Sequence, residues 1–224
     1  MKLYGAIASP YVTRVVMFAR LKGIDLELVD APGGPRSDDY RAINPIAKIP
    51  TLVVDGQSIA ESEVICEYLE DAFPEPAGLP ADIMDRAITR MVSRIVDLYV
   101  APHVSSMVRQ VNPEKRDQAV VDAAHESLKA AFGYLEHFMG SGPFAAGDTP
   151  TLGDCSAAPY MMLTKKVVFD NFEEIADPTE GDGRLATWWQ AIQGHDVCSA
   201  TVDEYGTAVD GFLSYLLGQI AKRA

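Results

Sequence analysis

Apolar and polar positions change period every few residues along the first third of the chain. Residues 2–7 alternate as a strand does, Pro10–Leu21 carries apolar residues at helical spacing up to Gly23, and residues 25–29 alternate again through Leu26 and Leu28. A loop with Gly33, Gly34 and Pro35 leads to a short helix near 38–43. Thr51–Val54 and Gln57–Ala60 flank the turn pair Asp55-Gly56, a hairpin signature, and a helix follows over 62–73. This order of strand, helix, strand, helix, strand, strand, helix predicts one mixed sheet covered by helices.

Beyond Phe73 the period is helical throughout. Pro74, Pro76, Gly78 and Pro80 form a stiff linker of boundary composition, dividing an α/β domain over 1–75 from an all-helical domain over 82–224. Met84, Ile88, Met91, Ile95 and Leu98 recur at spacings of three and four and predict one buried face. Asn112-Pro113 supplies a cap residue and a first-turn proline, and Val121, Ala124, Leu128, Leu135 and Met139 form the next apolar face. Further helices are expected over 151–165, 185–192 and 204–220. In the last, Val209, Phe212, Leu213 and Leu216 make an apolar face able to close a cleft.

Composition narrows the function classes. The 224 residues are 48% hydrophobic and 23% charged, as a globular protein requires. A net charge of −13 and a pI near 4.6 argue against a nucleic acid partner, whose binding needs a basic surface. No apolar run reaches the ~20 residues of a membrane span, and the first residues do not read as a signal peptide. A cytoplasmic protein without membrane contact is expected. Cys66, Cys155 and Cys198 form no C-x-x-C pair, and the four histidines lack metal-ligand spacing, so no metal is expected.

Three clusters in the first domain carry candidate chemistry. Ser9-Pro10-Tyr11 stands where strand one meets helix one. Ser9 fits an N-cap before a first-turn proline, and its hydroxyl equally fits donation to a ligand thiolate at the positive end of the helix. In Asn44-Pro45-Ile46-Ala47-Lys48-Ile49-Pro50-Thr51-Leu52, Pro50 precedes a strand, leaving the Ile49 backbone open to a ligand, with Lys48 beside it for a carboxylate. Glu61-Ser62 enters helix three, where a serine and free amides suit a carboxylate and Glu61 suits an ammonium group. Ser58-x-x-Glu61 also fits a capping box.

In order and spacing these clusters resemble the glutathione transferase superfamily, over nearly the whole chain. The resemblance implies a thioredoxin-like α/β domain followed by an all-helical domain that forms the electrophile pocket. It also implies glutathione as co-substrate, a small electrophile as partner and a homodimer. Ser9 then corresponds to the thiol-activating serine of members similar to the tau and zeta classes. Ile49, beside a cis Pro50, would meet the cysteinyl unit, Lys48 the glycine carboxylate, and Glu61 with Ser62 the γ-glutamyl end. Tyr11, His103 and Met107 would line the electrophile pocket, the last two near a break at Pro102. The expected reaction is attack by the glutathione thiolate on an electrophilic carbon. A glutathione-dependent isomerase, an ether-cleaving lyase and a non-catalytic scaffold share the same clusters and stay open. Members with a catalytic cysteine carry it where this chain has Ser9, and zeta isomerases carry Ser-Ser-Cys-Ser where this chain has Ser9-Pro10-Tyr11-Val12.

The remaining notable residues read as structural. Thr151 and Asp154 fit a family helix cap, Trp188 and Trp189 fit the core, and Cys66 fits an inert buried thiol. Arg86, Arg90 and Arg94 form a row without acidic partners on their own helix, which suggests acidic residues of a second chain.

Overall fold

The computed structural model describes residues 1–221, so the last three residues of the expected second domain, 222–224, lie outside the described residues. Four strands form one mixed sheet in the order β2-β1-β3-β4. β1 (Lys2–Tyr4) runs parallel to β2 (Glu27–Val29) through the crossover helix α1 (Pro10–Leu21), and antiparallel to β3 (Thr51–Val54). β3 turns at Asp55-Gly56 into β4 (Gln57–Ala60), with Gly56 at φ 81° as a two-residue hairpin demands. Leu3 and Leu52, paired in register, are wholly buried beneath α1 and α3 (Ser62–Ala72). The single turn α2 (Asp38–Arg41) precedes β3 and buries Tyr40.

The linker is pinned rather than merely stiff. The buried Lys22 ammonium donates to Glu70 at 2.5 Å and to the Pro76 carbonyl at 2.6 Å, while Glu70 also accepts from the Gly78 amide. Gly78 lies so close to Phe18 that a Cβ would stand 2.4 Å from the ring, so no larger residue fits.

Helices alone follow. α4 (Ile83–Ile95) passes through a π turn, Val96–Val100, into α5 (Ala101–Met107), whose second residue is Pro102. α6 (Gln118–Phe138), α7 (Leu152–Thr164), α8 (Arg184–Gly194) and α9 (Asp196–Ala221) complete the bundle. α7 is buried around most of its circumference because it packs on α1 as well as α4, joining the two halves. Asp154 anchors its start, accepting from the amides of Thr151 and Ala145 and from the Trp188 indole, each at 2.7–2.8 Å.

Several expectations need correction. The first strand ends at Tyr4, and a turn follows it in which the Ser9 amide donates to the Ala6 carbonyl. The last helix starts at Asp196 rather than 204, with Cys198, Val202, Tyr205 and Val209 as its buried stripe. It packs on α1, α7 and α8. On α4 the core takes Val92 and Ile95, whereas Met84 and Leu98 are exposed, so the long stripe is not one buried face. Arg90 has its partner within the chain, Glu67 of α3 at 2.6 Å.

Candidate active site

The loop before β3 is set by side chains that cross it. Asn44 Nδ2 donates to the Lys48 carbonyl at 2.9 Å and to Thr51 Oγ1 at 2.8 Å, and its Oδ1 accepts from the Ile46 amide. The buried Tyr40 hydroxyl donates to the same Lys48 carbonyl at 2.9 Å. These bonds hold Lys48 and Ile49 ahead of Pro50, whose preceding peptide bond is cis.

Across from this loop, β4 enters α3 through Glu61, at φ 67° and ψ 114°. A side chain in that region carries backbone strain of about 1–3 kcal/mol, which persists only where the surroundings hold it. Ser58 stays in strand β4, and Glu61 makes no capping bond, so the capping-box reading fails. Ser62, buried at the first turn of α3, accepts from the Arg14 guanidinium at 3.1 Å.

A cleft of about 390 Å³ opens between these segments. Lys48, Ile49, Pro50, Glu61 and Ser62 all line it, and so do Tyr11 and Asn44. Its far side comes from the helical half through Arg94, Asp97 and Leu98. The Arg14 guanidinium closes the floor, 1% exposed, with both terminal nitrogens on the Asp97 carboxylate at 2.5 and 3.1 Å. Burial works against its charge, but the Asp97 bond and field outweigh that and hold its pKa above the usual guanidinium value. Its Nε is buried and, among the described residues, has no hydrogen-bond partner. Burial likewise lifts the Glu63 carboxyl, with Arg14 pulling the other way.

Ser9 is the N-cap residue of α1, half-buried and extended at φ −96° and ψ 125°. Its hydroxyl makes no bond to the helix it caps, so capping alone does not account for it. It is not among the residues lining the cleft; Tyr11, two positions on, is, with its ring edge-on to Tyr160 at 5.3 Å. His103 is half-buried on α5, outside the cleft. Met107 is wholly buried in the core, so it cannot line an open pocket. Arg14 and Asp97 were missed by the sequence reading. The one signal was an arginine among the apolar positions of α1.

The glutathione S-transferase N-terminal domain profile matches residues 3–77, and the C-terminal domain profile matches residues 118–188. Maleylacetoacetate isomerase of Rattus norvegicus is 32% identical, over 75% of this chain and 80% of its own length. A probable glutathione S-transferase, GSTU6, of Oryza sativa subsp. japonica is 30% identical over 100% of this chain and 97% of its own. Among solved structures, the holo form of maleyl pyruvate isomerase, a bacterial zeta-class member, superposes with a TM-score of 0.72 at 25% identity. It covers 90% of this chain and 96% of its own. With both domain profiles matched in order and relatives similar along most of their length, the chain belongs to the glutathione S-transferase family.

Proposed function

We propose that the protein binds glutathione in the cleft between β3, α3 and the π turn and activates its thiol for attack on a small hydrophobic electrophile. The convergence of Lys48, Ile49, cis Pro50, Glu61 and Ser62 on one cleft carries this reading. The set complements the charges of the tripeptide: Lys48 for the glycine carboxylate, the Ile49 backbone for the cysteinyl unit, Glu61 for the γ-glutamyl ammonium. Ser62 and the first amides of α3 suit the γ-glutamyl carboxylate. In the reaction the thiol proton leaves to solvent, the sulfur forms a bond to carbon, and the leaving group departs with its electron pair. Ser9 donates a hydrogen bond to the thiolate and stays protonated throughout. Residues 1–75 form the glutathione domain, and 82–224 supply the electrophile side with Tyr11 and His103 at its edge. Calorimetry with glutathione tests the reading: wild type should bind and Lys48→Ala should bind more weakly. No binding by the wild type would overturn it.

A second reading is a glutathione-dependent isomerase, favoured by the relatives named maleylacetoacetate isomerase. There the thiolate adds to a double bond, the new single bond rotates, and expulsion of the thiolate regenerates glutathione. Stoichiometric loss of free thiol during turnover separates the readings, since only the transferase consumes it.

The reading further assigns the protein to the cytoplasm, to detoxification, and to a homodimer. Among the described residues no helix is long and apolar enough to cross a membrane. The exposed Met84, Leu98 and Tyr99, with Tyr134 edge-on to Tyr99 at 5.6 Å, give a second copy an apolar face to cover. Sedimentation equilibrium should show a dimer, and Met84→Glu a shift to monomer. A wild-type monomer at micromolar concentration would remove that assignment.

A further inference from the structure

A second cleft, also of about 390 Å³, lies in the helical half and shares no residue with the first. Its size falls in the range of small-ligand sites. One wall is a stripe of α6 with His125, Lys129 and Gly133; the other is the segment from Glu174 to Pro178. Phe132 and Ile175, both buried, form an apolar floor. The segment wall is held without any ligand. Asp177 takes the Lys165 ammonium and, at 2.8 Å, the Thr179 amide, and Arg116 covers the Phe172 ring at 4.4 Å.

Gly133 lies inside a 21-residue helix, where glycine weakens the helix relative to alanine. Packing does not require it, because a Cβ there would meet nothing within 4 Å. Its missing side chain leaves helix backbone bare where the cleft opens.

Lys129 and Glu174 line this cleft from opposite walls, and among the described residues neither forms an ion pair, with the other or elsewhere. Glu136 is different. It lies beside the N-cap of α8, its Oε1 2.9 Å from where a Cβ on Gly183 would lie, a position at the positive helix end that suits a carboxylate. Two opposite charges that flank an apolar floor without meeting each other complement a zwitterion.

We propose that this cleft binds a free α-amino acid with a large apolar side chain. Its carboxylate meets Lys129, with His125 one helical turn away; its ammonium meets Glu174; its side chain lies over Gly133 onto Phe132 and Ile175. The experiment is calorimetric titration with L-phenylalanine, L-leucine and L-tryptophan. Alongside them run 3-phenylpropionate and phenethylamine, which each lack one of the two charges of L-phenylalanine. L-phenylalanine should bind, and the single-charge analogues should bind at least about tenfold more weakly than it does. Gly133→Leu should fill the cleft and abolish binding without lowering the thermal midpoint. Lys129→Gln and Glu174→Gln should each weaken binding about tenfold while glutathione turnover is unchanged. The proposal is overturned if L-phenylalanine does not bind at millimolar concentration, or if binding survives Gly133→Leu. It is equally overturned if an analogue binds as tightly as L-phenylalanine, or if saturating glutathione competes, which would assign the signal to the first cleft.

Discussion

Arg14 of α1 and Asp97 of the π turn meet at 2.5 Å across the junction of the sheet half and the helical half, and the same guanidinium supports Ser62. One buried ion pair therefore ties the junction to the cleft wall. Removing the anion leaves a cation that is 1% exposed without its partner. Asp97→Ala should cost about 3–5 kcal/mol in urea unfolding, and the Michaelis constant for glutathione should rise as Ser62 loses its fixed position. A variant as stable as the wild type would mean that water solvates Arg14 where the structure shows it buried.

Glu61 combines a strained backbone with a proposed ligand role, so stability and binding should part company there. Glu61→Gly relieves the φ of 67° and should gain about 1 kcal/mol of stability, because glycine adopts that conformation freely. It should also lose glutathione affinity, because the carboxylate is gone. Thermal melting and calorimetry on one preparation read both effects, and a variant less stable than wild type would remove the strain argument.

Asn44 lines the cleft and also holds the loop, bonding the Lys48 carbonyl, Thr51 and the Ile46 amide. Asn44→Ala removes all three of its bonds; Tyr40 still serves the Lys48 carbonyl and Thr51, but the Ile46 amide loses its partner, at about 1–3 kcal/mol. The Michaelis constant for glutathione should rise more than that for the electrophile, since the loosened loop carries Lys48 and Ile49. Equal rises in both would point to general unfolding.

The three thiols make the fold alkali-sensitive. Burial pushes Cys198 up from 9.0 to about 12 and raises Cys66 and Cys155 as well. Above the unfolded thiol value the unfolded chain releases protons that the folded chain keeps. Stability is therefore full below that value and falls as pH rises through the window from about 9 to 12, by up to about 1.4 kcal/mol per unit for each thiol. Urea unfolding at a series of pH values should show this decline, and Cys198→Ser should flatten it by one thiol's share. A pH-independent stability above that value would show the thiols ionising freely in the fold.

The hairpin was legible because Asp55-Gly56 is local turn chemistry, and the cis-proline loop because its motif is contiguous. The start of α9 was not, since Ser199, Ala200 and Thr201 look like a loop until packing on α1 and α7 buries Cys198 and Thr201. Exposure of Met84 and Leu98 was not legible either, because periodicity marks an apolar face without saying what covers it. Lys48, Glu61 and Ser62 could be read from short motifs. Arg14 and Asp97, 83 positions apart, become a pair only once the helices pack.

Ser9 carries the proposed mechanism, and its hydroxyl is free of the helix it caps. It stands at the positive end of α1, where a donor stabilises thiolate over thiol and so lowers the thiol pKa. A hydrogen bond to a charged group is worth about 1.5–3 kcal/mol, and each 1.36 kcal/mol is about tenfold in rate. Ser9→Ala should therefore slow conjugation roughly ten- to a hundredfold near neutral pH while glutathione affinity changes little. The deficit should shrink as pH rises, because alkali supplies the thiolate that the hydroxyl no longer stabilises. Ultraviolet absorbance of bound thiolate against pH decides the matter, with the Ser9→Ala curve displaced to higher pH. Tyr11 lines the cleft two residues away and is the competing donor, so Tyr11→Phe belongs in the same titration. If Ser9→Ala superimposes on wild type while Tyr11→Phe is displaced, the phenol and not the serine activates the sulfur.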